Sequence, residues 1–125
     1  MSTYAAASRS AYQKTAVLTA TQEQLIVMLY DGVHRFLFQA AAAVRDGNVE
    51  LFHAKLRRAE AIINHLSASL DFERGGSLSE RLASIYVFCS RHLNEARIKR
   101  DPERVEKVDQ LLGELREAWA QIAKL

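Results

Sequence analysis

Histidine and cysteine are the side chains that most often carry chemistry, and this chain has four histidines and one cysteine. A metal held on one helix face takes ligands three or four residues apart, as in the Glu-x-x-His pairs of di-metal bundles. The Glu-x-x-His signature does not occur on two helices, and no two histidines stand at that spacing. We therefore predict no metal site and no cofactor. The four histidines are His34, His53, His65 and His92.

The other candidates for catalysis have plain structural explanations. Cys89 lies on a predicted apolar helix stripe, where a small core residue is commoner than a nucleophile. Gly75-Gly76 lacks the lysine and the spacing of a phosphate-binding loop. The sequence therefore predicts a protein that is not an enzyme. An enzyme with polar groups converging inside a helical core is the alternative from another class.

Two clusters of basic residues could bind phosphate groups. Binding of single-stranded nucleic acid also requires aromatic side chains on which bases stack, and neither cluster contains one. The chain has 17 basic and 15 acidic residues and a net charge of +2, which is too balanced to indicate nucleic acid. We predict no nucleic-acid partner and interpret both clusters as solvated faces. They are Lys55, Arg57 and Arg58, and Arg97, Lys99, Arg100 and Arg104.

The sequence also bears on the cellular compartment. A single cysteine provides no disulfide framework. Residues 1–20 contain no apolar run as long as that of a signal peptide. We therefore expect a reduced, cytoplasmic setting.

The longest apolar stretch, Leu25–Val44, is the segment that the rest of the chain must cover. Its apolar residues form two neighbouring helical stripes, wider than the roughly 100° stripe of an ordinary surface helix. Such a helix needs partners on more than one side. Membrane insertion is not predicted, because Asp31, His34 and Arg35 lie near the midpoint, where a charge costs roughly 2.5–3.5 kcal/mol. Asp31 and Arg35 also stand at the i, i+4 spacing of a solvated ion pair.

Four helices with short connections follow from the capping signals and the apolar spacing. Each is about 20–25 residues long, or roughly 30–37 Å at 1.5 Å per residue, and short connections make sequential helices antiparallel. The predicted fold class is all-α, an antiparallel up-down-up-down four-helix bundle over residues 21–125 preceded by a leader, residues 1–20. Predicted starts are the capping boxes Thr21–Gln24 and Ser77–Glu80, Asn48, and Asp101-Pro102; predicted stops are Gly47 and Gly75-Gly76. The apolar stripe of the last helix includes Leu112, Leu115, Trp119 and Ile122.

The leader has two interpretations. It consists mainly of small residues without a sustained helical stripe, which is typical of a frayed terminus. It also carries Tyr12, and the second interpretation is a segment that lies across a groove and plugs it with that ring. An unfilled groove would expose an apolar patch, which is an aggregation liability.

Several short motifs, in order along almost the whole chain, resemble the flagellar secretion chaperone family FliS. The most specific is Leu25–Gly32, which reads Leu-Ile-Val-Met-Leu-Tyr-Asp-Gly behind a tyrosine-bearing leader. The others are Ala11-Tyr12-Gln13, Leu18–Thr21, Leu70-Asp71 followed by Gly75-Gly76, and Ala118-Trp119. The chain departs from the family pattern at Gln22, usually proline, at Tyr86–Cys89, usually a Tyr-Asp-Tyr-Met-like run, and at Arg97, usually asparagine.

The resemblance implies a cytoplasmic chaperone that binds the disordered C-terminal segment of flagellin and prevents premature polymerisation. It would then deliver flagellin to the flagellar type III secretion apparatus, without catalysis, nucleotide or metal. The export apparatus and a co-chaperone or regulator would be further partners. In the family, a tyrosine that matches Tyr12 packs on the groove when flagellin is absent. The groove residues predicted here are Tyr12, Leu25, Ile26, Leu29, Tyr30, Val33 and Leu37.

The alternative function is a non-enzymatic structural or regulatory four-helix protein. It would dimerise through the spare apolar face of the first helix. A size that depends on concentration would distinguish it from a monomeric chaperone.

Overall fold

The fold is given by a computed structural model, which describes residues 11, 14–15 and 17–124 of the chain. Four long helices form most of this part: α1 (Gln22–Arg45), α2 (Val49–Ala68), α3 (Ser77–Lys99) and α4 (Pro102–Ala123). A single helical turn, Phe72–Gly75, lies between α2 and α3. No strand occurs within the described residues, and the all-α prediction is confirmed.

Helix α1 makes the most extensive contacts of the bundle, with α2 on one side and α4 on the other. Helix α3 contacts the same two helices less extensively. Two ion pairs and a hydrogen bond join α1 to α4: Asp31 pairs with Arg116, Arg45 pairs with Glu106, and His34 is hydrogen-bonded to Asp109. Residue numbers rise along α1 while they fall along α4 in these pairs. The two helices therefore run in opposite directions.

The core is one apolar cluster to which all four helices contribute. Helix α1 buries residues from both of its predicted stripes, as its contacts on two sides require. At Gly32, an added Cβ would lie only 3.1 Å from the Ile62 Cδ1 atom. The missing side chain therefore allows α1 and α2 to approach closely. The largest fully buried side chains are Tyr30, Leu37, Phe52, Leu56, Ile63 and Leu93.

Most predicted helix ends are confirmed by the hydrogen bonds of their caps. At Thr21, the side chain accepts from the Gln24 N–H while the Gln24 side chain accepts from the Thr21 N–H, which completes the capping box. Gly47, with φ of +78°, ends α1: its N–H donates to the Val44 carbonyl at 3.1 Å. Asn48 caps α2, and Asp101 caps α4 with proline at the first helical position.

The predicted capping box at Ser77–Glu80 is wrong. Ser77 lies inside α3, whose N-cap is Gly76, and no side chain caps this helix. The reason is a hydrogen bond between two residues that are eight positions apart: the Ser79 hydroxyl donates to the Asp71 carbonyl at 2.8 Å. Asp71 in turn caps the Phe72–Gly75 turn, where the sequence had predicted only a break. A side chain at Gly75 would collide with Ser79 Oγ.

The predicted ion pair of Asp31 with Arg35 is also wrong. The Asp31 carboxylate accepts from Arg116 Nε at 2.9 Å, and the Arg35 guanidinium lies over the Phe36 ring. The i, i+4 spacing within one helix predicts neither the partner of Asp31, which is Arg116, nor that of Arg35, which is the Phe36 ring. No helix within the described part of the chain is long and apolar enough to cross a membrane.

The stripe of α4 also ends differently from the prediction. Ile122 is 61% exposed, and Ala120 is buried in its place. Trp119 packs against the core but is only partly buried. The last turns of α4 therefore present a different face to the core from the one that strict spacing predicts.

Candidate peptide-binding cleft

An open cleft of about 500 Å³ lies at one end of the bundle. The start of α1, the end of α2, the Phe72–Gly75 turn, the start of α3 and the end of α4 all line it. Large apolar side chains from each helix form its walls. The cleft can therefore receive apolar side chains of another segment. Its apolar lining includes Leu25, Ile26, Leu29, Leu66, Leu70, Leu78, Leu82 and Trp119.

The structure divides the predicted groove residues of α1 into two groups. Leu25, Ile26 and Leu29 come together on the wall of the cleft. Val33 and Leu37 are 0% exposed and belong to the core beyond it. The other two predicted groove residues are tyrosines. Tyr30 is 2% exposed and lies beneath the cleft, and Tyr12 lies outside the described residues.

Two tyrosines form a buried polar contact beneath the cleft. The hydroxyl oxygens of Tyr30 and Tyr86 are 2.6 Å apart and share a hydrogen bond, which joins α1 to α3. Burial, with a contribution from the Tyr86 hydroxyl, raises the pKa of Tyr30 far above its ordinary value, although the Trp119 side chain opposes this shift. Burial also raises the pKa of Tyr86. Both phenols therefore stay neutral at physiological pH, and Tyr86 is also one of the residues that line the cleft.

Charged and polar residues surround the apolar walls of the cleft. Glu23 and Arg74 contribute opposite charges, and His65 adds an imidazole ring. Leu78, one of the apolar residues of the lining, is 57% exposed. An apolar centre with a polar rim is the usual composition of a surface that binds a protein segment.

The sequence alone revealed only one wall of this cleft. Leu70, Leu78 and Trp119 belong to it as much as the α1 residues do. The spacing of each helix shows which residues are apolar, but not where the ends of neighbouring helices diverge. In the sequence, the motif Leu25–Gly32 was the one signal for the position of the cleft.

The chemistry-bearing side chains do not form a metal site in the described part of the chain. In sequence, three histidines have a carboxylate or cysteine three residues earlier, namely Asp31–His34, Glu50–His53 and Cys89–His92. The structure nevertheless gathers no group of three or more potential ligands among the described residues. Cys89 is fully buried, and burial raises the pKa of its thiol to about 11. The prediction that Cys89 is a core residue is confirmed.

An open apolar cleft with charged and polar residues in its lining is a surface that can receive a peptide segment. The sequence profile of the family described as "Flagellar protein FliS" matches residues 4–125. The chain therefore belongs to the FliS family, as the motifs of the leader and of α1 predicted.

Several curated relatives carry the same name, "Flagellar secretion chaperone FliS". The Salmonella typhimurium protein is 36% identical over 125 residues, which cover 96% of this chain and 93% of the relative. The Escherichia coli protein is 35% identical, with 94% and 90% covered. The Bacillus subtilis protein is 34% identical, with 90% and 83% covered. The similarity thus extends over nearly the full length of each chain.

Proposed function

We propose that this protein is a cytoplasmic export chaperone of the flagellum. It binds the disordered C-terminal segment of flagellin, prevents premature polymerisation, and delivers flagellin to the flagellar type III secretion apparatus. The family membership supports this role, and the observation that carries it is the open apolar cleft of about 500 Å³. The scaffold that we propose for it is an antiparallel up-down-up-down bundle over residues 21–125.

Physical chemistry favours a flexible apolar segment as the occupant of the cleft. A peptide that presents apolar side chains at regular spacing can lay them into such a groove. Each large side chain that becomes fully buried contributes roughly 1.5–3 kcal/mol, against about 1–2 kcal/mol for ordering each backbone residue. Two or three anchors in the cleft therefore give a bound but releasable segment, which suits a protein that must hand over its cargo.

The leader, residues 1–20, is the second candidate occupant of the cleft. It joins α1 at Gln22, and Gln22 itself lines the cleft. Tyr12 precedes this point by about ten residues; residues 14–15 and 17–19 of this stretch are helical, and at the helical rise ten residues span about 15 Å. We propose that Tyr12 occupies the cleft in the absence of flagellin and competes with it. One aromatic ring contributes at most about 3 kcal/mol, so this occupancy is easily reversed.

Titration of a labelled flagellin C-terminal peptide tests the proposed function. Leu29→Asp places a charge in the wall of the cleft and should weaken binding at least about tenfold, because the charge would be desolvated on binding. Ile98→Asp is the matched control, since Ile98 is 72% exposed and does not line the cleft. Binding that is absent in the wild type, or equally weak in both variants, would refute the proposal.

The same titration separates the roles of Tyr12. If Tyr12 only competes, Tyr12→Ala should bind the peptide as tightly as the wild type or modestly tighter, because a closed state lowers the apparent affinity. The variant should also aggregate more readily alone, since its cleft stays open. Weaker binding would instead show that Tyr12 contacts bound flagellin and would contradict the competition.

The dimer remains the alternative function, and the structure narrows the surface available for it. Helix α1 is covered by α2 and α4, and its exposed large apolar side chains are Met28 and Phe38. A dimer through α1 would use these two side chains or the cleft residues Leu25, Ile26 and Leu29. A molecular mass that rises with concentration, and that Phe38→Asp abolishes, would favour the dimer.

A further inference from the structure

A second surface with a distinct chemistry lies where α1 packs against α2. Three cationic side chains surround the ring of Phe36, and we refer to Arg35, Lys55 and Arg58 as the basic patch. The Arg35 guanidinium carbon lies 5.2 Å from the ring centroid, the Lys55 ammonium 5.6 Å and the Arg58 guanidinium carbon 5.7 Å. The sequence does not show this arrangement, because the aromatic residue comes from one helix and two of the cations come from the other.

The ring stabilises these cations only in part. Each cation is attracted to a face of the aromatic ring, but a ring has two faces and the patch has three cations. At least two of them therefore share a face, and the like charges repel each other there. The patch carries an excess of positive charge that Phe36 cannot offset.

None of the three cations of the basic patch forms an ion pair with a carboxylate of the described residues. Arg45, Arg97, Arg104 and Arg116 each form an ion pair with an acidic side chain. Arg35, Lys55 and Arg58 form none with a described residue, even though acidic residues are almost as numerous as basic ones in the whole chain. An anion supplied from outside would relieve the repulsion between the three cations.

We propose that the basic patch is a docking surface for an acidic segment of a partner protein. The planar guanidinium groups of Arg35 and Arg58 can each bind a carboxylate through two hydrogen bonds. The Lys55 ammonium adds a third cationic donor. Leu51 lies one helical turn before Lys55 and is 41% exposed. It supplies an apolar contact for a residue next to the partner's carboxylates.

A peptide fits this surface better than a nucleic acid. Single-stranded nucleic acids bind through bases that stack on exposed aromatic faces. Phe36 is partly buried against the core, and the three cations already cover its faces. The patch therefore offers charge and hydrogen-bond donors without a stacking platform.

The basic patch is separate from the proposed flagellin cleft. None of its three cations lines the cleft, whose last residue on α1 is Leu29. Arg35 lies about 9 Å further along the helix axis at 1.5 Å per residue. An acidic partner can therefore dock while the cleft is occupied, and the proposal goes beyond the chaperone function itself.

The test uses a labelled 12-residue peptide in which Asp and Glu alternate with Leu and Ser, and an Asn/Gln version of it. The full chain should bind the acidic peptide and not the neutral one, with an affinity that falls as salt is raised. Lys55→Glu with Arg58→Glu should weaken this binding at least about tenfold. Arg91→Glu with Lys107→Glu is the control of equal charge change, because both are exposed cations without an ion pair to a described residue. This control should stay within about twofold of the wild type.

Three outcomes would overturn the proposal. One is equal weakening in the two double variants, which would indicate general surface charge. Another is binding of a single-stranded oligonucleotide or of anionic vesicles with the same dependence on Lys55 and Arg58. The third is no binding of the acidic peptide to a wild-type chain that is folded by circular dichroism. Retained binding of the flagellin peptide by the Lys55→Glu, Arg58→Glu variant should show that the two surfaces act independently.

Discussion

The two ends of helix α1 differ in how closely their neighbours approach. Along its C-terminal half, α1 buries small residues such as Ala40, Ala41 and Ala43, and Gly32 brings Ile62 close at its centre. Along its N-terminal half, the large side chains of Leu25, Ile26 and Leu29 line an open cleft. Small residues let helices pack tightly, whereas large ones that do not interdigitate leave space. One helix therefore serves as core at one end and as binding wall at the other.

The electrostatic contacts follow the same division. Along the packed part, Asp31 and Arg45 form ion pairs with α4, and His34 is hydrogen-bonded to Asp109 of the same helix. Beneath the cleft, the cross-helix polar contact is instead the buried hydrogen bond of Tyr30 with Tyr86. A buried, neutral hydrogen bond holds α1 to α3 there without placing a charge next to the apolar lining. The cleft can thus stay open while its floor remains fixed.

The largest effect should come from removing a side chain in the packed part. Phe52 is fully buried, so Phe52→Ala should lower the free energy of unfolding by about 3–5 kcal/mol through lost burial and a residual cavity. The molecules that remain folded should bind the flagellin peptide with unchanged affinity, because Phe52 does not line the cleft. Denaturant titration and peptide titration below the transition measure the two quantities. A loss of affinity in the folded fraction would show that the two regions are coupled.

A smaller loss of stability but a larger loss of binding is expected at the cleft. Trp119 is partly buried and lines it, so Trp119→Ala should cost about 1–2 kcal/mol of stability, less than a fully buried aromatic. Binding of the flagellin peptide should weaken at least about tenfold, since large aromatic side chains dominate such surfaces. A loss of 3 kcal/mol or more with unchanged binding would place Trp119 in the core, as its spacing alone had predicted.

Local features of the fold were predictable from the sequence. Thr21, Asn48 and Asp101 cap helices through atoms two or three residues away, so their types and spacing sufficed. Ser77 had an equally good local pattern and failed, because the contact of Ser79 with Asp71 places the helix start elsewhere. Local rules decide a helix end only when no tertiary contact competes.

The candidate site was predictable only in part for the same reason. The spacing of Leu29 and Val33 on α1 is equally apolar, yet one lines the cleft and the other is core. The difference is whether the neighbouring helices cover the side chain, and the apolar pattern of one helix does not determine that. The partner of Asp31 and the approach of Lys55 and Arg58 to Phe36 were likewise invisible, because both are contacts between helices.

The smallest predicted effect compares two glycines inside helices. An added Cβ at Gly113 of α4 meets nothing within 4 Å, whereas one at Gly32 of α1 meets Ile62 Cδ1 at 3.1 Å. Alanine is favoured over glycine by about 0.8–1 kcal/mol in a helix interior. Gly113→Ala should therefore raise the free energy of unfolding by roughly that amount and leave peptide binding unchanged. Gly32→Ala should gain less or destabilise, because Ile62 must move by a few tenths of an ångström. Denaturant titration of both variants measures the difference, and an equal gain at the two sites would show that α1 and α2 are not held in tight contact at Gly32.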